Sequence, residues 1–243
     1  MEVRATAEAD SFKTLDSRFM LRCFYAFTAL AVLSIGISAG GKALGRSIAM
    51  ASHTDATSLH EIVIGNNVLA VPANAIRFER ARRDGVAARL DLYLRWPQMT
   101  GYTNDARDDF NHAEGARNIL FLSLSERMMS RDMSGRFEPI YRSLVVSPAK
   151  PFAGGLSEYA FTEKSGYLDE TLVTADRGGG APFVARCLSG PAAADSLAPC
   201  ERDLHIGDKL SVSYRFPREL LAQWRDLDAA VLAKVDEYLK TVP

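Results

Sequence analysis

Residues 23–39, CFYAFTALAVLSIGISA, form an apolar run without a charged side chain, set between Arg22 and the pair Gly40-Gly41. A bilayer demands that every backbone polar group be paired internally, and a single helix does this alone. Spanning takes about 20 apolar residues, with about 17 as the lower limit. Counted from Phe19, with Arg22 snorkelling to the headgroups, the run predicts a transmembrane signal anchor over 19–41. The next stretch, 42–58, is small and polar and reads as a linker. From residue 59 the pattern changes to short alternating runs. Segments 61–64 and 68–71 flank a Gly-Asn-Asn turn and predict a hairpin. In 89–96, Leu90, Leu92, Leu94 and Trp96 share one face, while Arg89, Asp91, Tyr93 and Arg95 share the other. Further strands are expected at 119–124, 156–162, 167–174, 182–188, 204–206 and 209–216. A short polar helix is expected within 104–117. Pro217 opens the clearest helix of the domain. Leu220, Leu221, Trp224, Leu227, Val231, Leu232, Val235, Tyr238 and Leu239 give it a continuous apolar stripe, with Asp226, Asp228, Asp236 and Glu237 assigned to the opposite face.

Strands outnumber helices and are joined by hairpins. The fold class expected is therefore α+β: one N-terminal transmembrane helix, then a mostly antiparallel sheet domain over 59–243 with the C-terminal amphipathic helix packed on it. Arg4, Lys13, Arg18 and Arg22 precede the apolar run, and only Lys42 and Arg46 closely follow. This bias places a tail, 1–18, in the cytoplasm and the main domain outside it, periplasmic or extracellular. Cleavage near Ser38-Ala39-Gly40 is the competing reading, opposed by a long N-terminal region carrying Glu2, Glu8, Asp10 and Asp16. The lipid bilayer is thus an expected partner through 19–41. Nucleic acid is not, because a net charge of −1 offers no concentrated basic face. Of three cysteines, Cys23 lies in the apolar run. Cys187 and Cys200 bracket a small-residue loop and are expected to form a disulfide outside the cytoplasm.

Chemistry is harder to find. His53 falls in the linker, His60 opens the first strand, His112 lies in a polar segment and His205 is near a turn; none belongs to a metal-binding helix pair. The one GxSxG match, at 36–40, lies inside the apolar run and is an accident of composition. The acidic stretch Asp105, Asp108, Asp109, Asn111, His112, Glu114 lacks the alternation and central glycine of a calcium loop. No metal and no cofactor are expected. Arg77, Arg80, Arg82 and Arg83 cluster between two strands, and arginine forks suit carboxylate and phosphate. They are the candidate ligand-binding residues, although Glu79 and Asp84 also fit an exposed turn. Tyr93, Arg95, Tyr102 and Arg142 are candidate contact residues. The function expected is an anchored extracytoplasmic accessory or protein-interaction module. The alternative is an anchored hydrolase that joins the 105–114 segment, His112 and the arginine loop in one cleft, or a small anion-binding domain.

Overall fold

The computed structural model describes residues 17–50 and 53–241, so most of the expected tail lies outside the described residues. The chain divides into two units, 1–51 and 52–243. The first is one helix, α1 (Ser17–Met50). Within it, Ser17–Ser38 is long and apolar enough to cross a membrane, and none of it is buried. The helix passes through Gly40-Gly41 and continues into the stretch read as linker.

The second unit is a mixed domain built on an antiparallel sheet. Its strands are β1 (Leu59–Ile64), β2 (Asn67–Pro72), β3 (Gly85–Val86), β4 (Arg89–Arg95), β5 (Ile119–Glu126), β6 (Lys150–Phe152), β7 (Leu156–Ala160), β8 (Glu170–Ala175), β9 (Phe183–Leu188), β10 (Cys200–Ile206) and β11 (Leu210–Phe216). The main sheet runs β4-β5-β11-β10-β9-β8-β7-β6, and a small sheet runs β2-β1-β3. All pairings in the main sheet are antiparallel. The expected first hairpin is present: Ile64 opposes Asn67 across a two-residue turn, with Gly65 at φ +55°.

Period-2 alternation divides each strand between two faces. Leu90, Leu92 and Leu94 of β4, Leu120, Leu122 and Leu124 of β5, and Leu210, Val212, Tyr214 and Phe216 of β11 enter the inner core. The small sheet and the C-terminal helix α2 (Trp224–Tyr238) cover them through Ile62, Ile64, Leu69, Val71, Leu227, Val231 and Val235. The expected apolar stripe is therefore the packing face. Two details differ from the sequence reading. Pro217 is extended, and residues 218–223 form a 3-10 turn before α2 begins. Asp228, assigned to the wet face, is 3% exposed and turned inward; the partner that draws it in is Arg202, 1% exposed on β10.

The segment from His53 to Ser58 belongs to the domain. The carbonyls of Ala56 and Ser58 accept hydrogen bonds from the Asn74 and Ala73 amides at 2.9 Å. Asn74 in turn donates its side-chain amide to the Tyr102 carbonyl at 2.9 Å. Gly101 sits against this joint: a Cβ placed on it would lie 2.5 Å from the Asn74 carbonyl carbon and oxygen. Backbone cannot retreat as a flexible side chain can. Gly101→Ala is expected to cost about 1–3 kcal/mol in urea unfolding; an unchanged midpoint would show that the 53–58 segment is not held tightly here.

Candidate binding face on the outer side of the sheet

The outer face is covered at both ends and open in the middle. At one end Tyr93, Tyr102, Ala106, Phe110 and Ile119 form an aromatic cluster. At the other, Met133, Phe137, Tyr141 and Val145 pack on Leu172 and Val184. Between these covers the strand register writes three rows across the sheet. One runs Arg89–Ser125–Ser211–His205, the next Asp91–Ser123–Ser213–Asp203, and the third Tyr93–Phe121–Arg215–Glu201–Arg186. Directly opposed side chains on one face are about 4.5–5.5 Å apart at Cβ. Four serines thus form a two-by-two block bordered by charge.

Arg77 joins this array from beyond β4. Ile76 bridges to Leu92, and the Arg77 amide donates to the Asp91 carbonyl at 2.9 Å. Its guanidinium lies over the Phe121 ring at 4.7 Å and near the Phe78 ring at 5.1 Å. With Arg89, Arg215, Phe121 and the serines it lines a groove of about 360 Å³. Charges in the groove are unevenly matched. Arg89 holds Asp91 at 2.7 Å. Arg215 and Arg186 share Glu201 at 3.7 and 3.6 Å. Arg77 makes no ion pair among the described residues. Burial lowers the Arg77 pKa; Asp91 opposes the shift, and Arg215 and Arg89 reinforce it.

The arginine loop splits. Arg82 turns back and donates Nε and Nη2 to the Ile76 carbonyl at 3.2 and 3.1 Å. Arg80 lies over Phe78, and Arg83 is exposed on a separate pocket with Asp84 and Gly85. Only Arg77 of the four lines the groove.

His112 rests near Phe121, at 6.3 Å between ring centroids, and bonds the Ala116 carbonyl at 3.2 Å. Among the carboxylates expected to accompany it, Asp109 is paired with Arg95 at 2.5 Å, while Asp105 and Asp108 are exposed. Tyr93 and Tyr102, read as contact residues, are 2% and 7% exposed. They fail as contacts because His53 and Phe110 close over them. His53 stacks on Tyr102 at 4.7 Å with 4° between planes, and its Nδ1 lies 3.1 Å from the Tyr93 hydroxyl.

Burial lowers the His53 pKa, and the charges of Arg82 and His112 lower it further. A histidine kept neutral in the fold contributes stability that is complete above its ordinary value of 6.5 and is lost as pH falls through the lower folded value. NMR titration of the His53 ring should therefore give a midpoint below that of an exposed histidine. A midpoint at or above 6.5 would mean that the ring leaves the Tyr93–Tyr102 stack in solution.

The serine block was not found from sequence. Its signal was the repeated serine in ILFLSLSE and LSVSYRF, which fixes a shared face within each strand but not that the strands are neighbours.

No protein-family model matches the chain, and no characterised protein matches its sequence. In structure it is similar to an immunity protein of the Stenotrophomonas maltophilia type IV secretion system. That match has 16% identity and a TM-score of 0.48, over 78% of this chain and 96% of that one. It is also similar to the Neisseria meningitidis iron-regulated outer membrane lipoprotein FrpD, with 10% identity and a TM-score of 0.40, over 76% of this chain and 96% of that one.

Proposed function

We propose that this chain is a single-pass membrane protein that presents an accessory, protein-binding domain on the oxidising side of the plasma membrane, with its N-terminus in the cytoplasm. The observation that carries the binding role is the open polar middle of the outer face, framed by two packed covers. Its charges are set in rows by strand register, so a partner meets a fixed pattern. Fixed charge patterns confer specificity and speed encounter more than they add raw affinity. The partner we infer is an envelope protein with an acidic contact patch, complementary to the unpaired Arg77. The location is supported by the unburied apolar helix Ser17–Ser38 and by the Cys187–Cys200 disulfide, a bond that persists in oxidising compartments.

Two measurements on the full-length protein in its native membrane test this. A photo-crosslinker at Ser125 should give a discrete protein adduct, and one at the exposed Asp226 on α2 should not. No adduct at Ser125 would overturn the binding role. Intact mass after alkylation without reductant should show the full chain with one alkylated thiol, Cys23. A mass beginning near Gly41 would overturn the anchor, and three alkylated thiols would overturn the orientation.

A further inference from the structure

The groove contains more than a patterned surface. Arg77, Arg89 and Arg215 line one groove, and each of the latter two lowers the Arg77 pKa, yet Asp91, the carboxylate that opposes this shift, is already held by Arg89. Arg77 is exposed, but its guanidinium is held on the Phe121 ring beside other guanidinia, so an added anion meets a positioned fork rather than a freely moving one. Beside it stand hydroxyls that can donate. Ser211 leans to the Leu204 carbonyl at 3.4 Å. The hydroxyls of Ser123, Ser125 and Ser213 take no hydrogen-bond partner among the described residues. Each hydroxyl carries one donor that rotates to suit its acceptor.

We infer that the groove is an oxyanion subsite, in which Arg77 and Arg215 clamp a carboxylate or phosphate group while the hydroxyls of Ser123 and Ser213 donate to its remaining oxygens. Arginine forks match both anions in a bidentate way, and hydrogen bonds to a charged acceptor are among the stronger ones. The flanking carboxylates, Asp91 and Glu201, set the limits of the site. They favour a single compact anionic group over an extended polyanion, which they would repel. The inference rests on the same outer face as the binding role above, and it specifies what the partner or a free ligand must present there.

The test uses the full chain in a neutral detergent, with inorganic phosphate and glutarate as probes. Each should raise the thermal unfolding midpoint saturably, because a ligand bound only by the folded state stabilises it by mass action. Arg77→Gln should weaken binding by about tenfold or more, and Ser213→Ala by about threefold. Arg83→Gln, a charge-matched change outside the groove, should leave affinity unaltered. Stabilisation by only one of the two probes supports the subsite and identifies its anion. No saturable effect of either, or equal weakening by Arg77→Gln and Arg83→Gln, would overturn it. The two proposals can fail separately. A Ser125 adduct without anion binding would remove the subsite and leave the contact face. Arg77-dependent anion binding without an adduct would support the subsite and remove the protein partner.

Discussion

Asp228→Ala is expected to destabilise the domain by about 3–5 kcal/mol, more than a typical core truncation of similar size. The carboxylate is 3% exposed and is the hub of a buried network. Arg202 donates Nε to its Oδ1 at 2.8 Å, and the Tyr214 hydroxyl donates to the same oxygen at 2.7 Å. Arg177 closes on Oδ2. The other end of Arg202 explains why the network exists. Its Nη1 donates to the Ser134 hydroxyl and the Val184 carbonyl, both at 2.9 Å. Strands β9 and β10 are registered only at Cys187–Cys200 and Arg186–Glu201, and beyond that their ladder ends. Arg202 therefore supplies, from a side chain, the donor that a β9 carbonyl lacks, and it ties α2 on the inner face to the 127–145 cover on the outer face.

Removing Asp228 leaves that guanidinium buried without a counter-charge, which is the costly case. Removing both partners with apolar replacements of similar volume, as in Arg202→Met with Asp228→Leu, should recover much of the loss. Chemical denaturation of the two variants checks this; equal loss in both would mean that packing, not charge, is responsible. A pH arm follows. Burial pushes the Asp228 pKa up, but Arg202, the Tyr214 hydroxyl and Arg177 overcome it, and the net shift is below the ordinary 3.8. A depressed carboxylate contributes stability that is complete above its unfolded value and is lost as pH falls through the folded one. Acid unfolding of the wild type should therefore begin below about pH 4, and Asp228→Ala should flatten that limb.

Asp228 also shows where sequence stops being informative. The apolar stripe of α2 and the alternation of β4, β5 and β11 were legible because burial of one face imposes a period on each element separately. Asp228 lies at the border of the stripe, and helix periodicity alone assigns a border aspartate to water. What turns it inward is an arginine 26 residues away in sequence. The same limit hid the serine rows. Ser123, Ser211 and Ser213 lie in predicted strands on predictable faces, and Ser125 falls just past the predicted end of its strand, but β5 and β11 are neighbours only through a long-range pairing that no local pattern encodes. The arginine loop divides for a different reason. Four arginines in seven residues suggested one site, and the 3-10 turn at Glu79–Ala81 sends Arg77 to the groove and Arg83 to another pocket. The small, polar neighbours of His53 read as linker; one aromatic stack outweighs that composition.

The second large effect is expected at the same seam. Replacing Cys187 and Cys200 together by alanine should lower stability by about 3 kcal/mol, the chain-entropy value for a loop of this length. The two residues are 13 apart in sequence, directly opposed in register and each 0% exposed. Loop entropy sets the minimum, because these cysteines form one of only two registered pairs that join β4-β5-β11-β10 to β9-β8-β7-β6. Unfolding followed with and without reductant measures the effect, and Cys23→Ser, in the separate helical unit, should not change it. A loss below about 0.5 kcal/mol would show that the seam holds without the bond. The decisive form combines both ends. The disulfide and the Arg202 bond to the Val184 carbonyl fasten the same two strands a few residues apart, and Asp228 holds Arg202 in place for it, so the losses should not add. Once Asp228→Ala has freed one end of the seam, the disulfide becomes its main remaining fastening. Removing it then should cost more than in the wild type, with an interaction energy of about 0.5–3 kcal/mol. Strict additivity would mean that the two halves of the sheet are held together mainly by the inner core that spans them.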